Sequence, residues 1–198
     1  MKDRAKHKLC RRVGSCIWGS PKCPSVKRPY PAGGTARGFQ KKLSTYGELL
    51  IEKQKLKTFY AISEKQLRLA YQKAKKGDGL ANEKLLKNLE QRLDALVYRS
   101  GLAPTIFAAK QFVSHRHVKV DGKIVDRSSY KIKPGQVITI SSDKSPSIAN
   151  IAKNTNCTVP AYLEVEIEQC KATLAREPLA EEIPCIAEVM RVIEYYAR

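Results

Sequence analysis

The order of basic charge along this chain limits what each part of it can fold into. Residues 1–76 carry 20 Lys and Arg side chains against 4 acidic ones, residues 77–140 carry 11 against 6, and residues 141–198 carry 6 against 9. The formal net charge of +18 lies far outside the roughly ±2–8 of an ordinary small domain. Such an excess calls for a polyanionic partner, and nucleic acid and an anionic membrane are the two candidates. The gradient assigns the basic end to that partner and the acidic end to protein or solvent. With 198 residues, 42% of them hydrophobic, one or two domains with a true core are expected.

Several classes drop out. No apolar run approaches the ~20 residues needed to cross a bilayer. The basic opening, Met1 to Arg12, is followed by no apolar stretch of the secretory kind. Cys10, Cys16, Cys23, Cys157, Cys170 and Cys185 therefore point to a reducing interior rather than a disulfide framework.

Residues 1–47 read as a loop-like arm, with Pro21, Pro24, Pro29 and Pro31 and a single acid, Asp3. It cannot bury enough apolar surface to fold alone and must order on a partner or a metal. Ile17, Trp18, Tyr30 and Phe39 set it apart from a solvated linker, since rings among arginines suit stacking on RNA bases. Helical spacing starts near Tyr46 with Leu49, Leu50, Leu56 and Tyr60. It resumes with Leu67, Tyr71 and Ala74 after the capping box Ser63-x-x-Gln66. The intervening lysines, Lys53, Lys55, Lys57, Lys65, Lys73, Lys75 and Lys76, have few acids near them in sequence and are expected to face RNA. Gly77-Asp78-Gly79 ends the pattern.

From Asn82, Leu85, Leu86, Leu89, Leu93, Leu96 and Val97 make one apolar stripe, predicting a single helix that stops at Ser100-Gly101. A short helix follows Pro104 with Thr105 as its N-cap. Asp121-Gly122 between Val118–Val120 and Ile124-Val125 predicts a tight hairpin, and Pro134-Gly135 a turn before a strand over Gln136–Ser141. Residues 141–156 read as a polar connection. Tyr162–Glu168, Lys171–Arg176 and Val189–Tyr196 read as strands, punctuated by Pro160, Pro178 and Pro184.

A helix pair and hairpin dressed with Arg92, Arg99, Lys110, His115, Arg116, His117, Lys119, Lys123 and Arg127 suits a nucleic-acid binder, and a helix-turn-helix DNA reader fits the same outline. Catalysis finds little support. His115 and His117 lack a carboxylate and nucleophile at triad spacing, no Gly-rich phosphate loop is present, and Glu164, Glu166 and Glu168 alternate as the wet face of a strand.

The residues themselves carry a resemblance. Leu89-Glu90-Gln91-Arg92-Leu93-Asp94 through Arg99, Thr105-Ile106-Phe107-Ala108-Ala109-Lys110-Gln111-Phe112-Val113, His117-Val118-x-Val120-Asp121-Gly122-Lys123 and Lys133-Pro134-Gly135 resemble the S-four RNA-binding domain over residues 89–140. Arg28-Pro29-Tyr30-Pro31, Lys42-Leu43-Ser44-x-Tyr46-Gly47, Val159-Pro160-x-Tyr162-Leu163-Glu164-Val165 and the ending Tyr195-Tyr196-Ala197-Arg198 extend it to the S-four family of small-subunit ribosomal proteins across nearly the whole chain. The resemblance implies an α+β fold. A basic arm (1–47) and a helical rRNA-binding region (48–88) would precede the S-four domain (89–140), in which a helix-turn-helix-like pair and a hairpin pack with antiparallel strands. C-terminal strands (141–198) would close the lobes.

The resemblance also implies a non-enzymatic structural constituent of the small ribosomal subunit. It would bind a multi-helix junction of the rRNA 5′ domain early in assembly, beside the S-five and S-three proteins and the path by which mRNA enters, and it would influence decoding accuracy. No membrane partner is expected. The rRNA-facing residues so expected are Arg11, Arg12, Lys27, Arg28, Tyr30, Arg37, Lys41, Lys42, Lys53, Lys55 and Lys65, then Arg92, Arg99, Lys110, His115, Arg116, His117, Lys119, Lys123, Arg127 and Tyr130. The alternative is an RNA-modifying or regulatory protein with an appended S-four domain, for which 141–198 is short of a catalytic domain. The family match starts within the first dozen residues, so the expected setting is the ribosome of a bacterial cytoplasm or, for an organelle-encoded chain, of the mitochondrial matrix.

Two departures stand out. The family's usual Pro-Gly-Gln-His-Gly is replaced by Ala32-Gly33-Gly34-Thr35-Ala36-Arg37-Gly38. The Gly-His before the hairpin strand is Arg116-His117, with Arg116 expected on phosphate. No cofactor is expected. His7-x2-Cys10-x5-Cys16-x6-Cys23 nevertheless has zinc-ligand types where some family members carry a four-cysteine zinc site, and that alternative stays open.

Overall fold

The structure, a computed structural model, describes residues 7–20, 22–31, 43–76, 79–141, 146–153 and 158–197. In chain order the elements are α1 (Lys8–Val13), α2 (Pro24–Lys27), α3 (Thr45–Phe59), α4 (Glu64–Lys75), α5 (Ala81–Glu90), α6 (Leu93–Arg99) and α7 (Ile106–Ser114). They continue with β1 (Val118–Val120), β2 (Lys123–Ile124), β3 (Val137–Ile140), α8 (Pro146–Lys153), β4 (Leu163–Glu166), β5 (Lys171–Leu174), a 3-10 turn (Ala180–Glu182) and α9 (Val189–Ala197). The class is α+β, as expected. The chain forms two compact units, Met1–Glu64 with Cys185–Arg198, and Lys65–Pro184.

In the first unit, Ser44 caps α3 by accepting a hydrogen bond from the Gly47 amide. Leu49, Leu56 and Phe59 line the buried side of α3, against which α9 packs through Val192. A strand was expected over Val189–Tyr196, and the structure has a helix there. Val189, Val192, Ile193 and Tyr196 follow i, i+3, i+4, i+7, and packing on α3 outweighs the β preference of valine, isoleucine and tyrosine.

In the second unit, α6 and α7 pack on an antiparallel sheet of order β2-β1-β3-β5-β4. Leu93, Leu96, Val97, Ala109 and Val113 bury against Val118, Val120, Ile138, Ala172 and Leu174. The single helix expected from Asn82 to the stop at Ser100-Gly101 is two. Arg92 adopts an extended backbone (ψ 142°) and bridges to Lys131. Leu93 N–H donates to the Tyr130 carbonyl (2.8 Å), and Ile132 N–H to that of Gln91 (2.9 Å). The apolar stripe survives the break because both helices face one core. A second correction lies at Pro146–Lys153, expected as polar connection and found as α8, which opens on a proline where the missing amide costs nothing and buries Ala152.

Thr105 caps α7 as predicted, accepting from the Ala108 amide (3.1 Å). The hairpin also forms as predicted, with positive φ at Asp121 (48°) and Gly122 (77°). Asp121 reaches across to accept from the Val137 amide (2.9 Å) and from Gln136 (2.8 Å), and these bonds hold its pKa below the ordinary carboxylate value.

Candidate nucleic-acid interface

Helix α7 ends at His115, and the chain then turns into β1 through Arg116 at φ 64°. That left-handed backbone is the reason glycine suits this position. The turn is closed by the Arg116 amide donating to Val113 and the His117 amide to Phe112, each at 3.0 Å. It projects the Arg116 side chain outward, where it is 70% exposed and 3.2 Å from Asp126. His115, Lys123, Arg127 and Tyr130 are exposed on the same turn and the hairpin region that follows, with His117 and Lys119 half-buried. The two imidazoles lie 6.1 Å apart. This stretch brings cations and π-faces together on the β1–β2 side of the sheet.

Three other cations of the expected set turn inward, against the expectation that they face a partner. Arg92, itself buried, clasps Asp94 with two bonds (3.0 and 2.9 Å), and Lys110 approaches the same carboxylate at 3.5 Å. Burial pushes the Lys110 pKa down, only partly offset by Asp94. Arg99 donates to the fully buried Glu90 (2.6 Å), which also accepts from the Tyr162 hydroxyl (2.8 Å). Burial and the neighbouring Glu90 charge raise the pKa of that hydroxyl, keeping it a donor. A buried carboxylate without such partners would be untenable, so these cations hold the fold together.

The first unit sorts its cations the same way. Arg12, Lys27, Arg28 and Lys65 are exposed. Arg11 instead donates to the Tyr30 and Pro31 carbonyls (3.1 and 3.3 Å) and lies 5.0 Å over the half-buried Tyr30 ring. Lys53 is buried against Glu64 (3.0 Å) and the Tyr195 ring (4.2 Å), and Lys55 pairs with Glu52 (2.6 Å). Arg37, Lys41 and Lys42 lie outside the described residues. Lys22 and Lys133 are exposed cations outside the expected RNA-facing set; the basic balance of their segments is the signal for Lys22, and the Lys133-Pro134-Gly135 motif that for Lys133.

The histidine and cysteines of the arm converge. Ligand atoms of His7, Cys10 and Cys23 lie within 4.8 Å of one another, with His7 Nδ1 3.2 Å from Cys23 Sγ. Cys16, half-buried between Cys10 and Cys23 in the sequence, is not among the three groups that converge. Burial pushes the Cys10 thiol up to about 11. Burial acts the same way on Cys23, but hydrogen bonds from Ser25 (Oγ at 3.1 Å) outweigh it and bring that thiol below its ordinary value. Two sulfurs and one imidazole in this space are zinc-ligand types and fill three positions of a tetrahedral zinc site.

A helix pair, a left-handed turn and a basic hairpin laid on an antiparallel sheet define a protein of the S4-domain class, and residues 91–138 match the S4 domain. Residues 2–90 match the ribosomal protein S4/S9 N-terminal domain. The chain is 42% identical to small ribosomal subunit protein uS4 of Bifidobacterium adolescentis over 100% of its own length and 98% of the relative's. It is 42% identical to uS4 of Bartonella bacilliformis with the same coverage, and 46% identical to uS4 of Beutenbergia cavernae, with 98% and 97% covered. The chain belongs to the uS4 family of small ribosomal subunit proteins.

Proposed function

We propose that this chain is a non-enzymatic constituent of the small ribosomal subunit that binds small-subunit rRNA directly. It would join a multi-helix junction of the 5′ domain early in assembly, and contribute beside the S-five and S-three proteins to mRNA entry and decoding accuracy. The observation that carries the RNA-binding reading is the exposed set His115, Arg116, Lys123, Arg127 and Tyr130 on one turn and hairpin region, while Arg92, Arg99 and Lys110 are neutralised inside the fold. Phosphates supply affinity to such a surface, and exposed rings supply stacking. The protein should prefer folded small-subunit rRNA to duplex DNA at about 0.2 M salt, with affinity falling steeply as salt rises. Equal affinity for both nucleic acids would falsify this reading.

We further propose that His7, Cys10 and Cys23, with Cys16 as the fourth ligand, hold one structural zinc ion. When bound, zinc supplies four ligand bonds that tie α1 to the turn before α2 in a segment with a small core. Metal analysis of the purified protein should find about one zinc per chain, lost in Cys10→Ser. Metal-free wild-type protein refutes the assignment.

A further inference from the structure

Cys10 and Cys23 bring two thiols together from different elements, one inside α1 and one immediately before Pro24, the first residue of α2. Their sulfurs lie within 4.8 Å of each other. That separation exceeds the ~2 Å of a disulfide bond, and a modest rotation of each χ1 closes it. The two thiols differ in access. Cys10 is fully buried, whereas Cys23, 2% exposed, lines a groove of about 560 Å³ beside α1 and α2. So little exposed surface admits a molecule the size of hydrogen peroxide rather than a bulky disulfide.

The surroundings of Cys23 suit that reaction. Arg11, Lys22, Lys27 and Arg28 line the groove, and no acidic side chain does. Positive charge around a sulfur steadies the anion that departs when an O–O bond breaks, and reactive cysteines sit in electropositive settings for that reason. Ser25 Oγ (3.1 Å) and His7 Nδ1 (3.2 Å) hold the Cys23 sulfur in place from two sides.

We infer that Cys10 and Cys23 form a peroxide-responsive dithiol, in which hydrogen peroxide oxidises Cys23 from the groove and Cys10 then closes a disulfide tying α1 to the start of α2. In the first step the Cys23 sulfur attacks one peroxide oxygen and the O–O bond breaks. Hydroxide leaves and takes the thiol proton as water, giving a sulfenic acid. The Cys10 sulfur next attacks the Cys23 sulfur, the S–O bond breaks, and the hydroxyl leaves with the Cys10 proton as a second water. The two thiols together give two electrons to one peroxide, and a thiol reductant reopens the bond. The closure needs no metal, and a zinc ion on the same sulfurs would compete with it.

The test exposes the full chain, with a chelator present, to hydrogen peroxide and follows free thiols and tryptic peptide masses. The thiol count should fall by two from six, and dithiothreitol should restore it. Trypsin cuts after Arg11, Arg12 and Lys22 and so places Cys10, Cys16 and Cys23 on three peptides. The Cys10 and Cys23 peptides should be found joined, two hydrogens lighter than their sum. In Cys10→Ser, dimedone should trap a sulfenic acid on Cys23, formed about tenfold or more faster than on the half-buried Cys185. Should that variant not fold, the wild-type peptide map decides. Six thiols surviving peroxide, or Cys16 joined to either neighbour in place of this pair, overturns the dithiol. Zinc analysis of the untreated protein is read separately: a chain that closes the disulfide but holds no zinc loses the metal assignment and keeps the dithiol.

Discussion

Arg116 shows how one residue can divide stability from function. Its left-handed φ of 64° disfavours any side chain, at roughly 1 kcal/mol relative to glycine. Its exposed pair with Asp126 returns little of that. Arg116→Gly should therefore leave stability unchanged or raise it by up to about 1 kcal/mol in urea unfolding, while lowering rRNA affinity several-fold. A variant that loses stability and binds RNA as the wild type does would assign Arg116 to the fold. Arg92 is the converse: equally basic in the sequence, it is buried on Asp94. Residue type shows a charge but not the counter-charge beside it, and so the expected RNA-facing set mixed both kinds.

Among elements, α3, α9 and the start of α4 meet at Glu64. Lys53 (3.0 Å), Lys57 (3.3 Å) and the Tyr196 hydroxyl (2.8 Å) all donate to its carboxylate. Partial burial works to raise the Glu64 pKa, but the bonds from Tyr196 and Lys53 outweigh it and hold the pKa below the ordinary value. The stabilisation is thus present above the unfolded-state pKa and is lost as pH falls through the lower, folded one. Glu64→Gln should cost about 1 kcal/mol or less at pH 7, because the carboxylate is 45% exposed. The gap between variant and wild type in urea melts should close below about pH 4; a gap that persists unchanged in acid assigns the loss to packing instead. Valine, isoleucine and tyrosine content predicts a strand where α9 forms, although the i, i+3, i+4, i+7 spacing is also present. Short β-branched segments are decided by what they pack on, and α3 lies far away in the sequence.

For the molecule as a whole, the order of charge proved more informative than its sum. The sequence by itself determined the polyanionic partner, the Thr105 cap, the Asp121-Gly122 hairpin and the family, since each depends on local pattern or residue identity. The tertiary structure decided which cations face outward, because their counter-ions come from other elements: Glu90 for Arg99, Glu64 for Lys53. It decided that α5 and α6 are separate helices, through backbone bonds from a segment some forty residues on. It also gathered His7, Cys10 and Cys23, whose spacing matches no common zinc motif, into one cluster. Local pattern is set by the nearest few residues, whereas charge pairing, burial and ligand geometry depend on neighbours in space.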